Sequence, residues 1–103
     1  MRKKRLPPEQ RREAILMAAI ELAALYGYQE LTRDGIALHA GVSMGLVTRY
    51  FPTMQQLRRD VMRHAVKREI LPIVACGLAI RDPHALRASE DLRRRAAASI
   101  CDS

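Results

Sequence analysis

The most concentrated chemistry in this sequence stands at its start. Residues 1–12 carry Arg2, Lys3, Lys4, Arg5, Arg11 and Arg12 against the single carboxylate of Glu9, a net of +5. The whole chain carries +7, so the other residues together contribute only +2. A basic arm on a nearly balanced body is the electrostatic footprint of a polyanionic partner. Charge alone equally admits a solvated terminus with no partner.

The remaining reactive side chains form no constellation. Cys76 and Cys101 lack the spacing of metal ligands and read as reduced thiols. His39, His64 and His84 are scattered and read as ordinary surface or half-buried histidines. The carboxylates show no pairing suited to acid–base work, and no Ser, Cys or Lys sits in a nucleophile motif. The expectation is a protein that is not an enzyme, with no catalytic residues, no metal and no cofactor.

A chain of 103 residues has room for one domain, and its hydrophobic fraction of 49% supplies one modest core. Ala and Leu recur, aromatics are few, and strand-like runs are missing, which favours an all-α fold. The basic start runs into Pro7, Pro8 and a charged helix rather than an apolar run, so no signal peptide is read. No apolar stretch approaches the roughly 18 residues of a membrane span. Ile70 to Ile80 comes nearest, and Pro72 interrupts it. A cytoplasmic location is expected.

Helical spacing and capping residues place the elements. Ile15, Ala19, Leu22 and Tyr26 form one stripe of a first helix, Pro8 to Tyr26, closed by Gly27. Tyr28 and Leu31 make a short apolar connection. Thr32 caps a second helix, Arg33 to Ala40, and Ser43 caps a third, Met44 to Tyr50, which Pro52 ends. Thr53 starts a fourth, with Leu57, Val61, Ala65 and Ile70 inward and Pro72 kinking or ending it. Residues 73–80 are too apolar for a solvated loop and read as a continuing buried helix. Asp82-Pro83 opens a fifth from Pro83 to Ile100, with Ala85, Ala88, Leu92, Ala96 and Ile100 on one face. Five helices are expected, or six if Pro72 splits the fourth.

Ala37, Gly41 and Val47 bring function into view. Two short helices crossing steeply need a small residue on the first, a glycine in the turn and a branched plug on the second. These three residues meet that need, and Ile36 and Val42 add core on either side. The arrangement is a helix-turn-helix, spanning roughly Thr32 to Phe51, of the kind that reads double-stranded DNA. Arg49 stands on its second helix, where a guanidinium fork matches guanine O6 and N7 or, equally, a phosphate.

From Arg12 to Leu57 the sequence resembles the N-terminal domain of the TetR family of bacterial transcriptional regulators. Ile15, Ala18-Ala19, Gly27-Tyr28, Thr32, Ile36-Ala37, Ala40-Gly41-Val42-Ser43, Gly45, Tyr50-Phe51 and Leu57 carry the resemblance. It implies a three-helix DNA-reading head in a homodimer, the third helix entering the major groove. The implied base-facing set is Ser43, Met44, Gly45, Thr48, Arg49 and Tyr50. Thr32, Arg33 and Thr53 are assigned to phosphate, and Arg2, Lys3, Lys4 and Arg5 to phosphate or minor groove. Thr48, Tyr50 and Met54 depart from the family's usual tyrosine, histidine and lysine, and the basic arm is expected to compensate.

The expected organisation is a flexible basic arm (1–7), a DNA-binding unit (8–57) and a short helical dimerisation region (58–103) of two or three helices. Ile70, Ile73, Val74, Leu78, Leu92 and Ala96 are the expected dimer interface. Only about 45 residues follow Leu57, too few to wall a family-type ligand chamber. The expected function is a homodimeric repressor on a near-palindromic operator with no small-molecule ligand and no membrane partner. A low-specificity DNA accessory protein and a helical interaction module are the alternatives.

Overall fold

The computed structural model describes residues 7–101, with the side chains of Ile100 and Cys101 left aside. Arg2, Lys3, Lys4 and Arg5, the heart of the expected DNA arm, lie outside the described residues. Within them the elements are all helical: α1 (Pro8–Tyr26), a 3-10 turn (Tyr28–Glu30), α2 (Arg33–Ala40), α3 (Met44–Tyr50), α4 (Met54–Arg68), α5 (Leu71–Ala79), α6 (Pro83–Leu86) and α7 (Glu90–Cys101).

The first three helices have the boundaries that capping chemistry demands. Pro8 needs no amide partner at a helix start. The hydroxyls of Thr32, Ser43 and Thr53 accept from the N–H of Gly35, Leu46 and Gln56 at 3.0, 3.1 and 3.1 Å. Gly41 closes α2 in the left-handed conformation (φ 72°), and its N–H and that of Val42 turn back to the Ala37 carbonyl. That conformation is nearly free for glycine and strained for other residues.

Beyond α3 the structure corrects the boundaries. The fourth helix stops at Arg68, before Pro72 is reached, because Glu69 adopts φ 56° and its N–H donates to Ala65 and Val66. Pro72 opens α5 instead, within its first turn. The expected single helix from Pro83 to Ile100 is two. Asp82 caps α6, and after a break Ser89 caps α7 by accepting from the Leu92 N–H at 3.1 Å. Glu90 and Asp91 then fall in the first turn of α7, where the helix dipole favours negative charge. The Ser-Glu-Asp run was the signal for this start. Tyr26, placed on the buried stripe of α1, is 70% exposed, while Leu16, Ala18, Ile20 and Ala23 are buried.

One core joins head and tail. Ile15, Ala19, Ile36, Val47, Phe51, Leu57 and Val61 continue without interruption into Met62, Ala65, Ile73, Val74, Ala85, Leu92 and Ala96. The tail closes tightly at Gly77. A Cβ built there would lie 2.7 Å from that of Ala85 and 2.6 Å from the end of Met62, so α5 approaches α6 and α4 more closely than any side chain would allow.

Candidate nucleic-acid interface

The geometry of the turn follows from three buried contacts. Ile36 and Val47 are wholly buried and Ala37 nearly so. They lock α2 to α3 and leave the opposite face of α3 outside. On that face Ser43, Met44, Gly45, Thr48 and Arg49 are exposed, while Tyr50 is half-buried against the core. The structure thus brings the six expected base-facing residues onto one short helix and its cap.

Their polar groups are not equally available. The Ser43 hydroxyl is occupied as a cap. The Thr48 hydroxyl donates to the Met44 carbonyl at 3.0 Å and accepts from Arg33 at 2.9 Å. Arg49 has no hydrogen bond or ion pair among the described residues, so its whole donor fork is free to meet a base edge or phosphate. Gly45 is informative because nothing in the protein requires it. Its backbone is ordinary, and a Cβ there would meet only Ser43 Oγ at 3.8 Å. A glycine within a helix lowers its stability, so a bare backbone on the outer face of α3 fits close approach of another surface.

Arg33 does something that its position alone did not reveal. Besides Thr48, its guanidinium donates to the carbonyls of Phe51 and Pro52 at 3.0 and 3.4 Å. It fastens the start of α2 to the end of α3. Arg12 of α1 completes the brace. It pairs with Asp60 of α4, and its guanidinium lies 4.6 Å from the centre of the Phe51 ring. Neither role could be read from spacing, since both depend on the crossing angle of the helices.

Tyr28 links this head to the tail. Its ring is buried, and its hydroxyl donates to the Arg58 carbonyl at 3.1 Å. Burial, helped by the charge of Asp82 and partly offset by Arg58, pushes its pKa up to about 12.

Ile73, Val74, Leu92 and Ala96 of the expected dimer interface are buried within the single chain, where α5 packs along α7. Ile70 and Leu78 are half-buried. The apolar side chains left outward in this part of the molecule are Ile80 and Leu86, 44% and 40% exposed. Among the described residues no group of His, Cys, Asp and Glu side chains could hold a metal, and no helix is long and apolar enough to cross a membrane.

A buried small–branched lock, a left-handed glycine turn and an outward second helix define a helix-turn-helix DNA-binding head. Residues 15–61 match the family model of bacterial regulatory proteins, tetR family. No curated protein matches the chain. The chain therefore carries the N-terminal helix-turn-helix domain of a TetR-family regulator, and it is a DNA-binding transcriptional regulator.

Proposed function

We propose that this protein is a cytoplasmic repressor that binds a near-palindromic operator as a homodimer. The observation that carries the reading is the outer face of α3, where Arg49 is unpaired among the described residues and Gly45 exposes bare backbone. Ser43, Met44, Thr48 and Tyr50 surround them. The free N–H groups at the starts of α2 and α4, beside Thr32 and Thr53, suit flanking phosphates. Arg2, Lys3, Lys4 and Arg5 add charge that reaches phosphate or minor groove.

A single seven-residue reading helix offers few base contacts, so specificity calls for two heads on successive major grooves, about 34–36 Å apart. Because Ile73, Val74, Leu92 and Ala96 are already buried against their own chain, the contact between copies falls to outward side chains. Ile80 and Leu86, with half-buried Ile70 and Leu78, are the available set. Ile80→Glu then yields a folded monomer with weakened operator binding, whereas a charge at Leu92 disrupts the core.

Selection from a random duplex library tests the function. The expected result is one enriched site with two half-sites at that spacing. Arg49→Ala weakens binding to it by about 1–3 kcal/mol and relaxes preference at one base pair of each half-site. Retention of all duplexes alike, governed by salt alone, would overturn sequence-specific repression in favour of non-specific coating.

A further inference from the structure

Away from the reading face, α1, α4 and α6 enclose an open cleft of about 540 Å³. Its walls are strongly basic. Arg63 and Lys67 project from successive turns of α4, Arg87 stands at the end of α6, and Arg12 faces them from α1. His64 and His84 complete the polar lining. Asp60 is the one carboxylate on the walls, and Arg12 occupies it. Even with Glu13, which meets His64 at 3.5 Å, the cations outnumber the carboxylates four to two. Arg63, Lys67 and Arg87 have no ion pair or side-chain hydrogen bond among the described residues.

Like charges drawn together in a concave wall repel one another, and low-dielectric walls focus their field outward. A surface cation is ordinarily better placed next to a carboxylate or spread into solvent. The chain has fewer carboxylates than cations, 11 against 18, and spends two of them on α7, where Glu90 and Asp91 pair with Arg94 and Arg95. It places no such partner against Arg63, Lys67 or Arg87.

We propose that this cleft binds a small polyanion, a molecule bearing two or more phosphate groups. The volume falls in the range of small-molecule sites, about 300–1,000 Å³. The two arginine forks suit phosphate oxygens in paired hydrogen bonds, with Lys67 as a mobile point charge between them. This cleft is open, and it draws its walls from α1, α4 and α6, with Leu16 and Val66 between the charged side chains. The alternative source of the same phosphate chemistry is the DNA backbone. The lining favours the small ligand, because it takes no residue from α2 or α3, the two helices of the helix-turn-helix.

Titration with inorganic tripolyphosphate, followed by calorimetry at a constant ionic strength of about 0.15 M, tests the proposal. The full chain is expected to show saturable binding at one site, with sulfate at matched ionic strength binding far more weakly. Arg63→Gln combined with Arg87→Gln weakens that binding by about tenfold or more. Both side chains are exposed, so the variant keeps its thermal midpoint, and Lys67→Gln gives an independent second reading. Operator affinity of the double variant without tripolyphosphate stays within about twofold, with an unchanged salt slope. Unsaturable binding, or binding untouched by either variant, overturns the site. A loss of operator affinity with a shallower salt slope also overturns it, because the cleft cations would then be DNA-backbone contacts.

Discussion

The reading helix α3 and the tail helix α5 are held in place by opposite means. Of the seven residues of α3 only Val47 is buried; the helix is fixed at its ends, by the Ser43 cap and by the Arg33 guanidinium across its C-terminus. α5 has no side-chain cap, yet Ile73, Val74, Ala75 and Gly77 are all buried. A helix held by its ends keeps its outer face free for a partner. A helix held by its sides is stable but has little left to offer. The contrast explains why Ile73 and Val74, expected at the interface, are already occupied, while Met44, Gly45, Thr48 and Arg49 of α3 stand open to solvent.

The largest test of this contrast is Ile73→Ala. The side chain is wholly buried, and removing it leaves a cavity as well as lost burial, worth about 2–5 kcal/mol of global stability. Chemical denaturation measures it. A loss under about 1 kcal/mol would show that α5 is not a packing element.

Tyr28, at the seam between head and tail, supplies a pH test of similar size. Its phenol is neutral in the folded state up to about pH 12, whereas an unfolded tyrosine ionises near 10. The contribution to stability is therefore fully present below pH 10 and is lost as pH rises from 10 to about 12. The full loss is about 2–3 kcal/mol. Denaturation midpoints across that range should fall more steeply for the native chain than for Tyr28→Phe, which has no phenol to ionise. Parallel curves would place the ring in water.

Much of the head was legible because its signals are local. Thr32, Ser43, Thr53, Gly27 and Gly41 punctuate helices through their own backbone preferences, and α1, α2 and α3 fall where those residues put them. The tail was less legible because its decisive contacts are not local. Glu69 holds a left-handed conformation that its residue type disfavours, so no residue marked the end of α4. The pairing of α5 with α7 put Ile73 and Val74, expected at a dimer interface, into the core of the single chain. At the candidate site, the family resemblance implied Met44, Gly45 and Arg49 as base-facing, and all three are exposed. The brace of Arg33 on Thr48, Phe51 and Pro52 was not legible, since it joins residues 15 to 19 positions apart.

That brace sharpens the comparison at the scale of one side chain. Arg33→Ala removes hydrogen bonds to two carbonyls and a hydroxyl, and about 1–2 kcal/mol of stability with them. Operator affinity falls as the end of α3 loosens, but the salt slope of binding is unchanged, because a guanidinium spent inside the head releases no counterion from DNA. A slope reduced by about 1 would identify Arg33 as a phosphate contact instead.

Gly45 gives the smallest effect on stability and the most direct separation of stability from function. Nothing in the head requires a glycine there: the backbone is helical, and an added Cβ meets only Ser43 Oγ at 3.8 Å. Gly45→Ala removes the conformational freedom that glycine gives the unfolded chain, and raises stability by about 0.5–1 kcal/mol. If the outer face of α3 seats against DNA at that residue, the same methyl keeps the helix from the groove and weakens operator binding by about tenfold, or 1.4 kcal/mol. The two measurements move in opposite directions for one substitution, which a purely structural role for Gly45 cannot produce. A variant that is more stable and binds its operator with full affinity would show that the backbone of α3 does not approach DNA at Gly45, and would leave Arg49 and Met44 to reach the bases from a greater distance.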